Sequence, residues 1–265
     1  MATVLDTITS VDGDRHGGDV VVAGSHGGTY AGYLALKAGV RGVILNDAGV
    51  GKDEAGVASL PLLDEQSVPA ATVAHRSARI GDGEDMHRRG RISRVNDAAA
   101  ALGCASDQST RECASRMADA TLGEVTVPEY GQGRHVLRDD GVRVLGLDSV
   151  SLLRESDAGD VLVTGSHGSR LPGEDDHGSY VAVDVAGITF NDAGRGADGA
   201  GTTRLPYLDE RGIPAVAVDC RTARIGDARS AWETGVVSVA NDAAAALGVD
   251  AGDACRAFVA AVVDR

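Results

Sequence analysis

Aromatic residues and lysine are scarce in this chain, and both shortages exclude a class of protein. Phenylalanine, tryptophan and tyrosine make up 3% of the 265 residues, and Lys37 and Lys52 are the only lysines. The net charge is −14, because 39 aspartates and glutamates outnumber 25 lysines and arginines. Proteins that bind nucleic acids need clustered basic side chains for the phosphates, so we expect no nucleic-acid partner.

Cysteines and long apolar runs are also few. Cys104, Cys113, Cys220 and Cys255 form no CxxC pair, so we expect buried or free thiols rather than disulfides or a zinc ribbon. No stretch approaches 18 apolar residues, and the first residues, MATVLDTITSVDGD, lack a basic region followed by an apolar run. These absences predict a soluble, cytoplasmic protein without a membrane partner.

The acidic excess consists mostly of aspartate and has two explanations, which the sequence does not separate. One is the codon bias of a GC-rich genome. The other is adaptation to a cytosol of molar salt, where dense carboxylates keep the surface hydrated and a Debye length of ~3 Å weakens their repulsion.

The chain contains two copies of one module. GDVVVAGSHGG at Gly18 returns as GDVLVTGSHGS at Gly159, and NDAG, LPxLDE, RxARIGD and NDAAAALG recur downstream in the same order. From Gly42, which aligns with Gly187, to Gly103, roughly half of the positions are identical. The repeat predicts a first α/β copy over residues 1–120, a linker or edge hairpin over 121–145 and a second copy over 146–265. Two long copies are typical of a fused ancestral homodimer, related by a pseudo-twofold axis, and further homo-oligomers stay possible.

Each copy has the pattern of a parallel sheet. Short β-branched runs end at glycine-rich or polar turns and alternate with apolar-periodic helices. This order of strands and helices predicts a mostly parallel sheet with helices on both faces, an αβα layered domain. The predicted strands begin at Val4, Val20, Gly42 and Ala70 in the first copy and at Gly146, Val161, Gly187 and Ala215 in the second. Ligands bind such sheets at the carboxyl ends of the strands, where the three retained turns should therefore meet.

The first retained turn is Gly-Ser-His-Gly. Its glycines allow the backbone N–H groups to face an anion or oxyanion, and its histidine suits acid–base catalysis. We therefore assign catalytic roles to Ser25 and His26, with Ser166 and His167 in the second copy, and substrate contacts to Gly27 and Gly168. A tight turn whose histidine caps backbone groups is the structural alternative.

The second and third turns supply carboxylates and guanidinium groups. Asp47 and Asp192 follow a buried strand and are predicted to orient the imidazole, with a turn-forming role as the alternative. Asp53 and Asp198, and also Asn96 and Asn241, are more simply helix N-caps.

The second and third turns also supply the predicted substrate contacts. Arginine binds carboxylate or phosphate in a bidentate way, which suits it to hold an anionic substrate. The predicted contacts are Asn46, Arg76, Arg79 and Asp82 in the first copy and Asn191, Arg221, Arg224 and Asp227 in the second. Internal Arg–Asp pairs are the alternative.

The two copies differ at several positions near these turns. His75 corresponds to Cys220, Lys52 to Ala197, His87 to Trp232 and Gly28 to Ser169, and the second copy carries the extra residues RLPGEDDHG. These differences predict either one specialised lobe or a single composite site.

The segments AGSHGG and VILNDAGVG resemble the core of the caspase, metacaspase and CHAT group, over about 60 residues per copy. The resemblance implies a parallel sheet with a histidine after the first of these strands, and in that group a cysteine after the second completes a peptidase dyad. Here Ala48 and Ala193 stand at the cysteine position, so thiol peptidase chemistry is not implied.

Two functions remain open. The first is an enzyme, a hydrolase or lyase on an anionic or amide-containing metabolite, with His26 or His167 as acid or base. The alternative is a non-catalytic module that binds an anion or nucleotide with the same turns. No HxH or HExxH spacing is present, so no metal or other cofactor is assigned, although a divalent metal held by His and Asp is a third hypothesis.

Overall fold

The structure is a computed structural model that describes residues 2–173 and 180–265. The chain divides into two compact units. Unit 1 comprises Met1–Val50, Glu54–Gly131 and Gly196–Gly199, and unit 2 comprises Gly51–Asp53, Gln132–Arg195 and Ala200–Arg265. Most of the insertion in the second copy, residues 174–179, lies outside the described part.

Unit 1 contains a five-stranded, mostly parallel sheet. Its strands follow the order β1-β2-β3-β4-β5; the first four are parallel, and β5 pairs with β4 in the antiparallel direction. Sequential parallel strands require a crossover between each pair, which the intervening helices provide. The elements are β1 (Thr3–Leu5), α1 (Gly13–His16), β2 (Val20–His26), α2 (Thr29–Ala38), β3 (Gly42–Asn46), α3 (Ser59–Asp64), β4 (Ala70–Val73), α4 (Gly83–Arg89), β5 (Ile92–Val95), α5 (Asp97–Ala101) and α6 (Thr110–Met117).

Helices cover both faces of this sheet because alternate strand residues point to opposite sides. Val21 and Val43 pack with α2 and α3 through residues such as Leu36 and Leu63. On the other face, Val22 packs in a cluster with residues of α4, α5 and α6. The predicted αβα arrangement is therefore present in unit 1.

Unit 2 contains a six-stranded sheet in the order β11-β10-β9-β8-β7-β6. The four central strands are parallel, and β6 and β11 are antiparallel edges. Helices cover both faces of this sheet. On one face, Ile188 and Phe190 of β9 pack in a cluster with residues of α7. On the other face, Val161 of β8 packs in a cluster with residues of α8 and with Phe258 of α10. The elements are β6 (Arg134–Arg138), β7 (Val144–Leu147), β8 (Val161–His167), β9 (Gly187–Asn191), α7 (Arg204–Glu210), β10 (Ala215–Val218), α8 (Ala228–Thr234), β11 (Val237–Ala240), α9 (Asp242–Ala245) and α10 (Cys255–Val263).

The chain after the second retained turn is not a single α-helix, although its apolar pattern predicts one. In both copies this part of the chain begins as a 3₁₀ segment, at Lys52–Val57 and at Ala197–Thr202. Only its second half is α-helical, in α3 and α7. The remaining 3₁₀ segments are Ile8–Ser10, Val150–Leu152 and Glu155–Asp157.

The described residues also show the state of the cysteines and the character of the helices. Cys104, Cys113, Cys220 and Cys255 are free thiols, and all four are buried. No described helix combines the length and the apolar character that crossing a bilayer would need.

Candidate active site at the carboxyl edge of the unit 1 sheet

The three retained turns of unit 1 lie at one edge of its sheet, as predicted. His26 ends β2 and is the register partner of Asn46, which ends β3. Asn46 in turn pairs with Val73 at the end of β4. Neighbouring strands lie ~4.8 Å apart, so the ends of β2 and β4 are separated by roughly 10 Å. A small metabolite can span this distance.

The serines of the first turn hold the backbone of the preceding loop. Ser25 Oγ accepts a hydrogen bond from the Ile8 N–H at 2.9 Å, and Ser166 Oγ accepts one from the Val150 N–H at 2.9 Å. Each hydroxyl therefore fixes a 3₁₀ turn, the one after β1 in unit 1 and the one after β7 in unit 2.

The glycine-rich turn does not present free N–H groups to a ligand, contrary to the expected anion or oxyanion contact. The Gly27 N–H donates to the Asn46 carbonyl at 2.7 Å, and the Gly28 N–H donates to His26 Nδ1 at 3.1 Å. In unit 2 the Gly168 N–H donates to the Asn191 carbonyl at 3.2 Å, and the Ser169 N–H donates to His167 Nδ1 at 3.3 Å. These N–H groups already have acceptors within the protein.

His26 is neutral in the folded protein. Burial lowers its pKa to about 4, because the charged imidazolium loses its hydration. Its Nδ1 accepts the Gly28 N–H, so the neutral ring carries its proton on Nε2. His26 can therefore donate a hydrogen bond from Nε2, but it is poorly suited to accept a proton near neutral pH.

Asp47 contacts a different histidine from the one that the sequence suggested. Its Oδ1 lies 2.8 Å from His75 Nδ1 and accepts the His75 backbone N–H at 2.9 Å and the Gly49 N–H at 3.0 Å. Burial by itself would raise the pKa of Asp47, but the hydrogen bonds and the charge of His75, with the Gly49 N–H, outweigh it and lower the pKa. A carboxylate only accepts hydrogen bonds, so His75 Nδ1 is the donor.

The corresponding pair in unit 2 has different chemistry. Asp192 Oδ1 accepts the Cys220 N–H at 3.0 Å and the Gly194 N–H at 2.9 Å, and a thiol replaces the imidazole. Burial, followed by the charges of Asp192 and Asp219, raises the pKa of Cys220 to about 12. Without a bound cation this thiol is therefore protonated and a weak nucleophile.

A left-handed turn follows each of these aspartates. Ala48 and Val50 have φ values of 48° and 63°, and the Val50 N–H donates to the Asp47 carbonyl at 2.6 Å. In unit 2, Ala193 and Arg195 have φ values of 50° and 60°. Left-handed backbone costs a non-glycine residue roughly 1–2 kcal/mol, and such strain is concentrated at functional sites. Both copies keep the turn, which fixes the carboxylate beside the end of the third parallel strand.

The buried asparagines and the aspartate of RxARIGD serve the local backbone. Asn46 Oδ1 accepts the Ala48 N–H, and Asn191 Oδ1 accepts the Ala193 N–H, both at 2.9 Å. Asp82 caps α4 through the Asp85 N–H at 2.8 Å, and Asp227 caps α8 through the Ser230 N–H at 2.9 Å. These backbone contacts are the same in both copies, and they account for the retention of an asparagine and an aspartate at these two positions.

The arginines of the third turn differ in what they bind. Arg79 pairs with Asp198 at 3.0 Å, and Arg224 pairs with Asp227 at 2.8 Å and with Asp53 at 3.0 Å, so the internal pairing foreseen as an alternative is observed. Arg221 is paired with Asp219, with 3.0 Å from Nε to Oδ1. Arg76 is exposed and has no carboxylate partner among the described residues. It is therefore the one arginine of this set that is free to bind an anion beside His75.

The predicted N-caps have two outcomes. Asn96 caps α5 and Asn241 caps α9, as expected, and each also receives a backbone N–H from the adjacent strand. Asp53 and Asp198 are not caps: they lie within the 3₁₀ segments with φ values of 52° and 56°, and their carboxylates bind arginine.

Two cavities lie away from this edge. One of about 370 Å³ is lined by Asp64, Pro69 and Leu102 in unit 1, and one of about 210 Å³ is lined by Val150, Leu153 and Tyr180 in unit 2. None of the retained histidines, asparagines or arginines lines either cavity.

His75 is the functional candidate that comparison of the copies did not assign, because the second copy has a cysteine there. Its position immediately after a buried strand, one residue before the retained Arg76, was the signal that could have indicated it. Comparison of the chain with known protein families, with curated proteins and with solved structures finds no match.

Proposed function

We propose that unit 1 is a small-molecule enzyme, a hydrolase or lyase, in which His75 is the general acid and base and Asp47 orients it. The observation that carries the proposal is the 2.8 Å hydrogen bond between His75 Nδ1 and Asp47 Oδ1 at the carboxyl edge of the sheet. A carboxylate behind an imidazole fixes its tautomer and stabilises the imidazolium that forms during proton transfer.

The hydrogen-bond pattern sets the direction of proton transfer. With the Nδ1 proton donated to Asp47, the neutral ring has its lone pair on Nε2. The side chain of His75 is 18% exposed, so the ring is partly accessible to a small substrate or to water. Nε2 would take a proton from water or from a carbon acid, and the imidazolium would return it to the leaving group.

Two neighbouring groups suit an anionic substrate. Arg76 supplies an exposed guanidinium group without a carboxylate partner in the described chain, which can bind a substrate carboxylate or phosphate in a bidentate way. His26, neutral with its proton on Nε2, can donate a hydrogen bond to a carbonyl oxygen from the end of β2. Together these groups would hold a carboxylate-bearing amide, ester or β-substituted acid.

The counterparts in unit 2 do not provide the same set. Cys220 replaces His75, and Arg221 is bound to Asp219. This difference favours one acid–base site per chain, in unit 1, over two equivalent sites. The caspase-like resemblance is then a proposal about the sheet alone, since Ala48 and Ala193 supply no nucleophile.

We also propose that the two copies descend from a homodimer whose units were related by a twofold axis. The support is the order and spacing of the repeated motifs in the sequence. An experimental structure in which superposition of the copies requires a rotation far from 180° would rule it out.

Turnover of a panel of small carboxylate-bearing amides, esters and β-hydroxy acids, followed by mass spectrometry, tests the enzyme. We expect at least one substrate, with kcat reduced ~10²-fold or more in His75→Asn and KM raised in Arg76→Gln. His87→Asn and Arg111→Gln are matched controls away from the site and should retain wild-type rates. Binding without product, or equal rates in His75→Asn and wild type, would contradict catalysis by His75.

A further inference from the structure

Unit 2 brings together three metal-ligating side chains that the proposed acid–base chemistry does not use. Ligand atoms of Asp192, Asp219 and Cys220 all lie within 4.8 Å of one another. Asp192 and Cys220 are buried, with exposures of 4% each, and Asp219 is partly buried. The group combines one sulfur and two carboxylates, so it differs from an ordinary cluster of surface acids.

The two carboxylates of this group are not balanced in the same way. Arg221 donates to both oxygens of Asp219 and offsets its charge, whereas Asp192 accepts hydrogen bonds from the uncharged N–H groups of Cys220 and Gly194. A divalent cation would attract both carboxylates, and a coordinating thiol loses its proton outright.

The ligands are also held in position by contacts that a metal site would use. Asp192 Oδ1 accepts two backbone N–H groups, from Cys220 and Gly194, which fix the plane of the carboxylate. Asp219 is oriented by the Arg221 Nε at 3.0 Å. Hydrogen bonds to the ligating carboxylates are the usual outer contacts of metal sites.

Comparison of the copies shows that two ligands changed together. The residues that correspond to Asp219 and Cys220 are Ala74 and His75, while the aspartate of the second turn is common to both copies. The second copy thus has a carboxylate and a thiol beside the shared aspartate, where the first copy has an alanine and an imidazole.

We propose that Asp192, Asp219 and Cys220 bind a zinc ion. Sulfur as one ligand favours zinc over magnesium or calcium. Tetrahedral zinc, with Zn–S of about 2.3 Å and Zn–O of about 2.0 Å, needs its ligand atoms ~3.5 Å apart. A pair of atoms at the 4.8 Å limit would therefore have to approach by about 1.3 Å. Three protein ligands leave a fourth position for water. The thiol proton is released to solvent as the Zn–S bond forms.

Cobalt is the probe that reports on sulfur ligation. The full chain, stripped of metal with a chelator and titrated with Co²⁺, should bind one equivalent and show a near-ultraviolet band for thiolate-to-cobalt charge transfer. Zn²⁺ should displace the cobalt and abolish the band. About one proton should be released for each zinc bound, measured in weak buffer.

Variants distinguish this site from binding at other acidic groups. Cys220→Ser should abolish the band, and Asp219→Asn, at a partly exposed position that is not needed for packing, should weaken binding about 10-fold or more. Cys104→Ser, in unit 1, is the matched thiol control and should keep the band. Absence of the band in the folded wild-type protein, its survival in Cys220→Ser, or metal binding unchanged in Asp219→Asn would overturn the proposal.

Discussion

At the scale of single residues, burial and hydrogen bonding give the two histidines of the unit 1 edge different capacities. His26 is partly buried, accepts a backbone N–H on Nδ1 and has its pKa lowered to about 4 by desolvation. His75 instead donates from Nδ1 to a carboxylate. Two imidazoles on the same sheet edge are therefore suited to opposite tasks: donating a hydrogen bond from a neutral ring, and accepting a proton.

The lowered pKa of His26 predicts a stability that depends on pH. Its value rises from about 4 in the folded chain to 6.5 in the unfolded chain, so between these values the unfolded state binds more protons. The free energy of unfolding should fall by up to about 3 kcal/mol as the pH drops from about 6.5 to about 4. Denaturant unfolding of wild type and His26→Gln at several pH values measures the difference. A difference that stays constant with pH would show that His26 titrates normally.

Residue roles were predictable where they depend on local chain geometry. Asn96 and Asn241 stand before short alanine-rich helices, and the N-cap role follows from that sequence alone. The partner of Asp47 was not predictable in this way. Asp47 follows β3, which lies between β2 and β4, so histidines after either neighbouring strand were available, and only the folded structure selects His75.

At the scale of elements, the helix ends show how the two copies solve the same backbone problem with different residues. Ser67 follows α3 with a φ of 56°, and the corresponding residue after α7 is Gly212 with a φ of 65°. Glycine adopts this left-handed conformation without a Cβ penalty, whereas serine does not.

This pair gives matched substitutions at one structural position. Ser67→Gly should raise the free energy of unfolding by roughly 0.5–1 kcal/mol, and Gly212→Ser should lower it by roughly 1 kcal/mol. A Cβ on Gly212 would meet no atom within 4 Å, so the effect is one of backbone conformation rather than of packing. Thermal or urea unfolding measures both. Equal stability of Gly212→Ser and wild type would show that the position is not strained.

Elements with strong apolar patterns were predictable, and polar ones were not. The buried strands β3 and β10 begin at the predicted residues, Gly42 and Ala215. The helix α4, with sequence GEDMHRR, and the antiparallel strand β5, with sequence ISRV, carry too few apolar residues to stand out. Their places are set by packing against β2 and β4 and not by their own periodicity.

At the scale of the whole molecule, the duplication predicted two α/β modules, and the structure contains two mostly parallel sheets. Residues 121–145, predicted to be a linker or an edge hairpin, contain β6, which pairs with β7 in the antiparallel direction, and β7 extends beyond this segment to Leu147. Two short segments were not assigned correctly by sequence. Residues 51–53 belong to unit 2 although their neighbours in the chain belong to unit 1, and residues 196–199 belong to unit 1 although their neighbours belong to unit 2. Such assignments depend on contacts between residues distant in sequence.

The net charge of −14 predicts a dependence of stability on salt. Screening of repulsion between carboxylates should raise the free energy of unfolding by about 1–2 kcal/mol between 0.1 and 2 M NaCl, which corresponds to roughly 5 °C in Tm. Calorimetry at several salt concentrations measures the shift, and an equimolar series of a neutral osmolyte separates screening from solvent exclusion. A Tm that falls or stays constant with NaCl would contradict the prediction.

The hydrogen bond to Asp47 holds His75 with its lone pair on Nε2, where the ring can accept a proton. The nitrogen spectrum of ¹⁵N-labelled protein, at a pH where the ring is neutral, reports this tautomer directly. We expect a protonated Nδ1 and an unprotonated Nε2 for His75 in the wild type, and loss of that preference in Asp47→Ala. A proton on Nε2 of the neutral wild-type ring would show that His75 is not held as a base, and would rule out the proposed acid–base role.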